Sequence, residues 1–381
     1  MRILLDCRPL QGEGLDCERS RLIFAAAAAL PEGRIEWVFM ADRRYPAGLP
    51  SGLPGRVVFR RALAGSLGRR LWYGRPLHRL LRRERVDMVW LTDGVAAGSM
   101  PVPFCLWMPE RADRLSQRLK SGLEKAAAVV CYSDRDRGRL VQLLPAVEPR
   151  VRVLRPAPVE GIGPLSPEEK EAIKARWTKG MDYFLADLSG CGEATAIDVL
   201  KAFSLFKRRQ QSGMRLILAG AAEQRERILE RLKTYRYRED VDWVAEGAAV
   251  SVAVESAAVE SAAVSAAVEG PGAGQRALAG AAYAVLLPAQ TTGLGTPLLD
   301  LWKAGVPVIA ADGGLWEEMA QGAVLGMASG DPASLAARLM RIYKEEDLRA
   351  ELIGKGFERL KIYSGENFLR LLQVITEIAA C

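Results

Sequence analysis

Thr291-Thr292-Gly293-Leu294-Gly295-Thr296-Pro297, with Asp300 three residues beyond, is the stretch whose residue types and spacing can do chemistry. Glycine lets a backbone approach a ligand closely and adopt positive φ. Proline at 297 suits the first turn of a helix, where its missing N–H costs nothing. A helix start offers unpaired N–H groups to an anion. The pattern therefore predicts a phosphate-bearing ligand held at Gly293, Leu294, Gly295 and Thr296, with a carboxylate one helical turn later at Asp300. Asp300 also has a plainer reading, as a solvated helix carboxylate.

The flanking residues supply the elements that would position this loop. Ala284–Leu287 is a short apolar run ended by Pro288, as expected of a buried parallel strand stopped by a residue that cannot donate to the ladder. Leu298, Leu299, Leu301 and Trp302 give the apolar face of a helix ending at Gly305. Val306–Ala310 reads as the next buried strand and Asp312-Gly313-Gly314 as the turn after it. Ligands of open α/β sheets bind at such carboxyl ends.

Gly293-Leu294-Gly295-Thr296-Pro297-Leu298-Leu299-Asp300, followed by Ala304-Gly305-Val306-Pro307-Val308-Ile309-Ala310, resembles the donor-site signature of retaining glycosyltransferase family 4. Further likeness runs through Met1–Leu10, Ala128–Ser133, Val151–Pro156, Tyr183–Leu188, Val199–Phe206 and Leu216–Gly220. The resemblance implies a GT-B fold, α/β, with two Rossmann-like doubly wound parallel-sheet domains facing across a cleft. It also implies a nucleotide-sugar as donor substrate, with no further cofactor.

Carried over by alignment, the donor-sugar glutamate of that signature is Thr292 here, and the ribose-gripping glutamate is Asp300, one methylene shorter. The family's Arg and Lys, which face the leaving diphosphate, align with Ser189 and Ala194. Between Met181 and Leu200 there is no Lys or Arg, while Asp182, Asp187, Glu193 and Asp198 are present; Arg215 and Lys303 are the cations left to reach in from elsewhere. Where the family places an acceptor-side histidine the chain has Met108-Pro109-Glu110. Thr292 and Glu110 are thus the catalytic candidates, although a helix-start residue is the commoner meaning of a glutamate at a position such as 110. Gly12 and Gly14 form the loop after the first strand. They half-match a dinucleotide fingerprint, but too late after Leu5 for the strand-to-helix turn.

Length and composition fit two domains: 381 residues, 49% of them hydrophobic, are ample for two cores. The expected division is 1–157 for an N-terminal, acceptor-side domain, 158–180 for a linker and helix, and 181–365 for the donor domain, with a helix at 366–381 crossing back. Within 248–270, Val-Glu-Ser-Ala-Ala recurs as a low-complexity insertion. Six cysteines without a C-x-x-C pair and a single histidine, His78, argue against a zinc site and for buried reduced thiols. The start lacks a signal-peptide pattern and no apolar run reaches membrane-spanning length, so the expected location is cytoplasmic.

The formal net charge is +7, and arginines crowd residues 60–85. On a helix, Arg75, Arg79, Arg82 and Arg83 share a face opposite leucines. That pattern suits an anionic membrane surface or a lipid-linked phosphate, with a solvated helix over the core as the plainer and commoner reading. No base-reading motif accompanies it, so nucleic acid is not expected. Two functions follow from the reading: transfer of a sugar from a nucleotide-sugar to an unknown acceptor with retention, or a catalytically inactive relative that acts as a binding or regulatory subunit.

Overall fold

The computed structural model describes residues 1–6, 35–42, 55–60, 75–91, 100–108, 115–158, 162–245, 273–289 and 294–380. Gly12, Gly14, Glu110, Thr292, Gly293 and the 248–270 insertion lie outside the described residues. The chain divides into two compact units. One comprises Met1–Ala157, Thr292–Leu294 and Tyr363–Cys381, the other Pro158–Thr291 and Gly295–Ile362.

In the first unit, seven strands pair in parallel: β1 (Arg2–Asp6), β2 (Glu36–Asp42), β3 (Gly55–Arg60), β4 (Met88–Leu91), β5 (Phe104–Trp107), β6 (Ala128–Cys131) and β7 (Val151–Val153). Their order is β3-β2-β1-β4-β5-β6-β7. Side chains alternate faces along a strand, and register carries the alternation across the sheet. Leu4 opposes Val38 and Val89, and these line one apolar layer; Ile3 opposes Trp37 and Met88, and these line the other. Helix α1 (Arg75–Arg83) contributes Leu77, Leu80 and Leu81 to the first layer, leaving Arg75, Arg79, Arg82 and Arg83 exposed. Helices α2 (Gln117–Lys125) and α3 (Asp134–Leu143) start on Ser116 and Ser133, whose hydroxyls accept from Leu119 N and Asp136 N.

The second unit opens with α4 (Pro167–Thr178), entered through a complete capping box between Ser166 and Glu169 with proline in its first turn. Six strands follow: β8 (Tyr183–Asp187), β9 (Arg215–Gly220), β10 (Val241–Ala245), β11 (Ala284–Leu287), β12 (Val308–Ala311) and β13 (Leu325–Met327). All pair in parallel, in the order β10-β9-β8-β11-β12-β13. The helices are α5 (Glu193–Gln210), α6 (Ala222–Lys233), α7 (Ala273–Ala281), α8 (Thr296–Lys303), α9 (Gly314–Ala320), α10 (Pro332–Lys344) and α11 (Glu346–Leu360). Phe203 and Phe206 of α5 and Leu335, Leu339 and Ile342 of α10 close over Phe184, Leu216, Leu286 and Ile309.

The last helix, α12 (Gly365–Ala380), belongs to the first unit. Phe368, Leu372 and Ile375, at i, i+4 and i+7, lie on the layer of Trp90, Trp107 and Val130. In the second unit one boundary moves from its expected place. The strand read as Val306–Ala310 begins at Val308, because Val306 N donates to Leu301 O at 3.0 Å and Gly305 N to Trp302 O at 3.0 Å. With Gly305 at φ 69° this closes the end of α8, so Val306 finishes the helix rather than opening the strand.

Lys207 of α5 is a buried cation with a full set of partners: Asp240 Oδ2 at 2.9 Å, Ser212 O at 2.6 Å and Met214 O at 3.2 Å. Removing one member of such a group strands the others. Lys207→Ala is expected to lower unfolding free energy by about 2–3 kcal/mol, read from the urea midpoint. Lys201→Ala, which breaks the exposed pair with Asp198, should cost less than about 1 kcal/mol. Equal effects would show that burial is not what makes the Lys207 group matter.

Candidate functional site

Chain order in the second sheet reverses direction between β8 and β11: β8 leads outward to β9 and β10, β11 outward to β12 and β13. At such a switch point the exit loops on either side diverge and leave a crevice at the carboxyl ends. The segments that leave the sheet there are 188–192, after β8, and Pro288–Ala289, after β11. Register holds the two strand ends side by side, since Leu286 opposes Ala186.

On the β11 side, Gly295 caps α8 in the left-handed region at φ 77°, ψ 12°. A Cβ there would also collide with Met319 Sδ and lie 3.3 Å from Leu315 Cδ2. The glycine is thus required by conformation and by packing of α9, rather than by room for a ligand alone. Among the amides at this end, Pro297 has none and Leu298 donates to Gly295 O at 3.1 Å. The Thr296 amide has no partner among the described residues. Asp300 is half-buried on the following turn. Trp316 of α9, a residue that sequence reasoning did not single out, donates its indole N–H to Ala289 O at 2.9 Å and so pins the start of the loop. Leu294 is buried and falls with the first unit; Gly295, Thr296 and Asp300 fall with the second.

On the β8 side the loop is wound tightly. Leu188 N donates to Ala219 O at 2.7 Å, Cys191 N to Leu188 O at 2.9 Å, and Ser189 N to Asp187 Oδ1 at 2.9 Å, with Gly190 at φ 70°. Ser189 and Ala194 bring no charge. Burial, with the Asp187 carboxylate adding to it, pushes the Cys191 thiol up to about 11, so it is neutral at pH 7. Helix α5 begins at Gly192 with no side-chain cap, and the amides of Glu193 and Ala194 take no partner among the described residues. Arg231 of α6 lies 3.1 Å from Glu193, neutralising the one carboxylate in that first turn. Gln224, two helical turns earlier on the same face of α6, donates to Cys191 O. The spacing of Gln224, Ile228 and Arg231 is the sequence signal that could have found this face.

The two cations considered for this edge are elsewhere. Arg215 opens β9 and is bound to Asp242 at 2.7 Å, at the amino ends of the strands. Lys303 is in the last turn of α8, about 10 Å along the axis from Thr296 at the α-helical rise. Arg225, exposed in the first turn of α6 after β9, is a basic side chain that this edge does carry. In the first unit the equivalent switch point lies between β1 and β4. There Asp6, buried at the end of β1, precedes the segment containing Gly12 and Gly14. Among the described residues, no group of three or more His, Cys, Asp or Glu side chains is placed to hold a metal ion.

No protein-family model matches the chain. None of the curated proteins matches it in sequence. Its fold, however, matches solved structures along nearly the whole length. A glycosyltransferase from Rickettsia africae superposes with a TM-score of 0.73 at 12% identity, over 99% of this chain and 98% of that one. Anabaena HepE, solved with UDP and glucose, superposes at 0.67 and 12%, over 99% of each chain. Sucrose-phosphate synthase from Thermosynechococcus elongatus superposes at 0.69 and 15%, over 99% and 98%. At these identities the likeness defines the fold: two parallel-sheet α/β domains of the GT-B glycosyltransferase type.

Gly295→Ala should separate the two demands on that residue. The substitution is expected to cost about 2–4 kcal/mol through positive φ and the Met319 collision together. Adding Met319→Ala to a Gly295→Ala protein should recover only part of that loss, because the backbone strain persists. Full additivity in a double-mutant cycle by urea unfolding would show that the two side chains do not meet.

Proposed function

We propose that the chain is a glycosyltransferase that binds a nucleotide-sugar at the carboxyl edge of the second sheet and transfers the sugar to an acceptor with retention. The observation that carries this reading is that two helices, α5 and α8, follow the strands on either side of one switch point, and the amides of Glu193, Ala194 and Thr296 take no partner among the described residues. A departing nucleoside diphosphate gathers negative charge, and fixed dipoles aimed at it lower the barrier without reorganising. In this reading the Thr296 amide and the Glu193 and Ala194 amides face the diphosphate. Asp300 accepts from the ribose diol and Thr292 from the donor sugar. Arg231 holds Glu193 so that its charge does not oppose the dipole of α5. Retention and the roles of Thr292 and Glu110 rest on the family resemblance, and Gly12 and Gly14 belong to the loop expected to approach the nucleotide or the acceptor.

HepE was solved with UDP and glucose, which makes UDP the first ligand to test. Calorimetry at low salt should show saturable binding, and Asp300→Ala should weaken it about tenfold, as expected for loss of a charge-assisted hydrogen bond. Flat heats with UDP, GDP and ADP alike would sink the reading.

A second reading has its own observation: the loop after β8 offers Ser189 and Ala194 where cations would serve a diphosphate, and Asp187 lies beside them. On this reading the chain binds a nucleotide but does not turn it over, and acts as a binding or regulatory subunit. Saturable UDP binding without release of UDP from any nucleotide-sugar, in the presence of candidate acceptors, is its signature. Nucleotide release would remove it.

The exposed arginine face of α1 extends the proposal to an anionic surface carrying the acceptor, at a cytoplasmic membrane. Among the described residues no helix is long and apolar enough to cross a membrane. In flotation, vesicles with anionic lipid should carry the protein and neutral vesicles should not. Arg79→Glu with Arg82→Glu should abolish the difference, and unchanged flotation would retire this surface.

A further inference from the structure

An open sheet leaves its outermost strands half paired, and in the first unit one of those edges lies in a groove. Strand β7 is last in its sheet and pairs only with β6, from Val129 opposite Val151 to Cys131 opposite Val153. Successive residues of a strand turn their N–H and C=O to opposite edges. Because Leu154 N donates to Cys131 O at 2.8 Å, Arg152 and Leu154 turn theirs inward to β6, and Val151 and Val153 turn theirs outward. Val151 is already engaged: its N–H donates to Glu148 O, and its carbonyl accepts from Arg152 Nη1 at 2.9 Å. The N–H and C=O of Val153 have no partner among the described residues.

The groove along this edge has a volume of about 560 Å³. Val151 and Val153 of the strand line it together with Leu371, Val374 and Ile375 of α12, which recur at i, i+3 and i+4 on one helix face. Ile375 is buried, whereas Val374 is 43% exposed and gives the groove an apolar wall open to water. Asp134 and Arg137 of α3, Glu148 of the turn Pro145–Arg150, and Arg152 form the rim, two acids and two bases. Asp134 is held by Arg155. Arg137 and Glu148 are 3.9 Å apart and both exposed, a loose pair worth little by itself.

We propose that this groove is an interface with a second copy of the chain, joined about a two-fold axis at Val153. Open sheet edges are templates for pairing with another chain. A two-fold axis pairs a residue with itself: each Val153 N–H donates to the other copy's Val153 C=O, the hydrogen-bonded pair of an antiparallel ladder. The one unengaged residue of the edge is then satisfied, and the bonds of Val151 stay as they are. With the axis perpendicular to the sheet, like layers adjoin, so α12 lies beside its counterpart and Leu371 and Val374 are covered together. Charge favours a second copy over another partner. At +7 the chain repels itself on average, whereas a rim with equal numbers of each sign does not. Two-fold symmetry brings the acids of one rim toward the bases of the other, while a purely acidic or purely basic segment would meet like charges there. The proposal is independent of the sugar-transfer reading.

The test is sedimentation velocity of the full chain between about 1 and 200 μM, a range that brackets micromolar association. Wild-type protein should pass from monomer toward dimer as its concentration rises. Val153→Pro removes the outward N–H and leaves the inward ladder whole, which a strand edge tolerates. Val374→Glu stands in water in the monomer and sets two like charges against each other across the axis. Each variant should raise the dimer dissociation constant about tenfold or more, with circular dichroism unchanged. Should one of them misfold, the other decides. Wild-type protein that stays monomeric throughout would overturn the proposal, whatever else occupies the groove. So would either variant, folded, that dimerises like wild type, since the dimer would then be built on another surface.

Discussion

Parallel pairing of β8 with β11, Phe184 opposite Ala284 through Ala186 opposite Leu286, is the constraint on which the rest of the second unit depends. It joins the first and fourth strands of the sheet in chain order, so the connections on either side must run in opposite directions. The helices α5 and α8 accordingly follow the two strands that flank the switch point. The pairing is held by burial on both faces: Phe184, Ala186, Ala284 and Leu286 face the layer under α5 and α10, and all are essentially inaccessible to solvent. Disturbing that layer would move both exit loops together, which couples the stability of the sheet to the geometry of the site.

What was legible in the residues follows from what each local pattern can specify. Ala284–Leu287 announces a buried strand because a parallel sheet covered on both faces demands unbroken apolar runs, whereas Tyr183–Leu188, interrupted by Asp187, is legible through the family resemblance. Val306 was assigned to a strand because apolar character cannot distinguish a strand start from the residue that closes a helix; the hydrogen bond to Leu301 O decides it. Gly295 reads from the sequence as a positive-φ residue, but Met319, twenty-four residues away, is invisible to any local reading and adds a steric contact to the conformational requirement. The same applies to Arg231 and Glu193, thirty-eight residues apart, and to Trp316 and Ala289. Contacts of that range carry no periodicity, and their signal is confined to one face of a helix such as α6.

Charge is where local and tertiary readings diverge most. Counted along the chain, the segment after β8 is acidic and hostile to a diphosphate. In the folded unit Asp187 is folded back on the Ser189 amide and Glu193 lies against Arg231, so both acids are partly satisfied before any ligand arrives. What is left is the start of an eighteen-residue helix, whose first two amides take no partner among the described residues. A helix dipole corresponds to about half a unit charge at its N-terminus, less than one lysine would bring. Two such ends at one switch point approach the charge of a single cation, without the cost of desolvating an ammonium. The backbone can thus offset part of what Ser189 and Ala194 lack, but only part. The difference between partial and full compensation bears on turnover far more than on binding, because charge on the leaving group grows as the bond to the sugar breaks. On the proposed reading, a site built from such dipoles favours holding a nucleotide over expelling one, and Arg225, exposed in the first turn of α6, is a basic side chain on the same edge of the sheet.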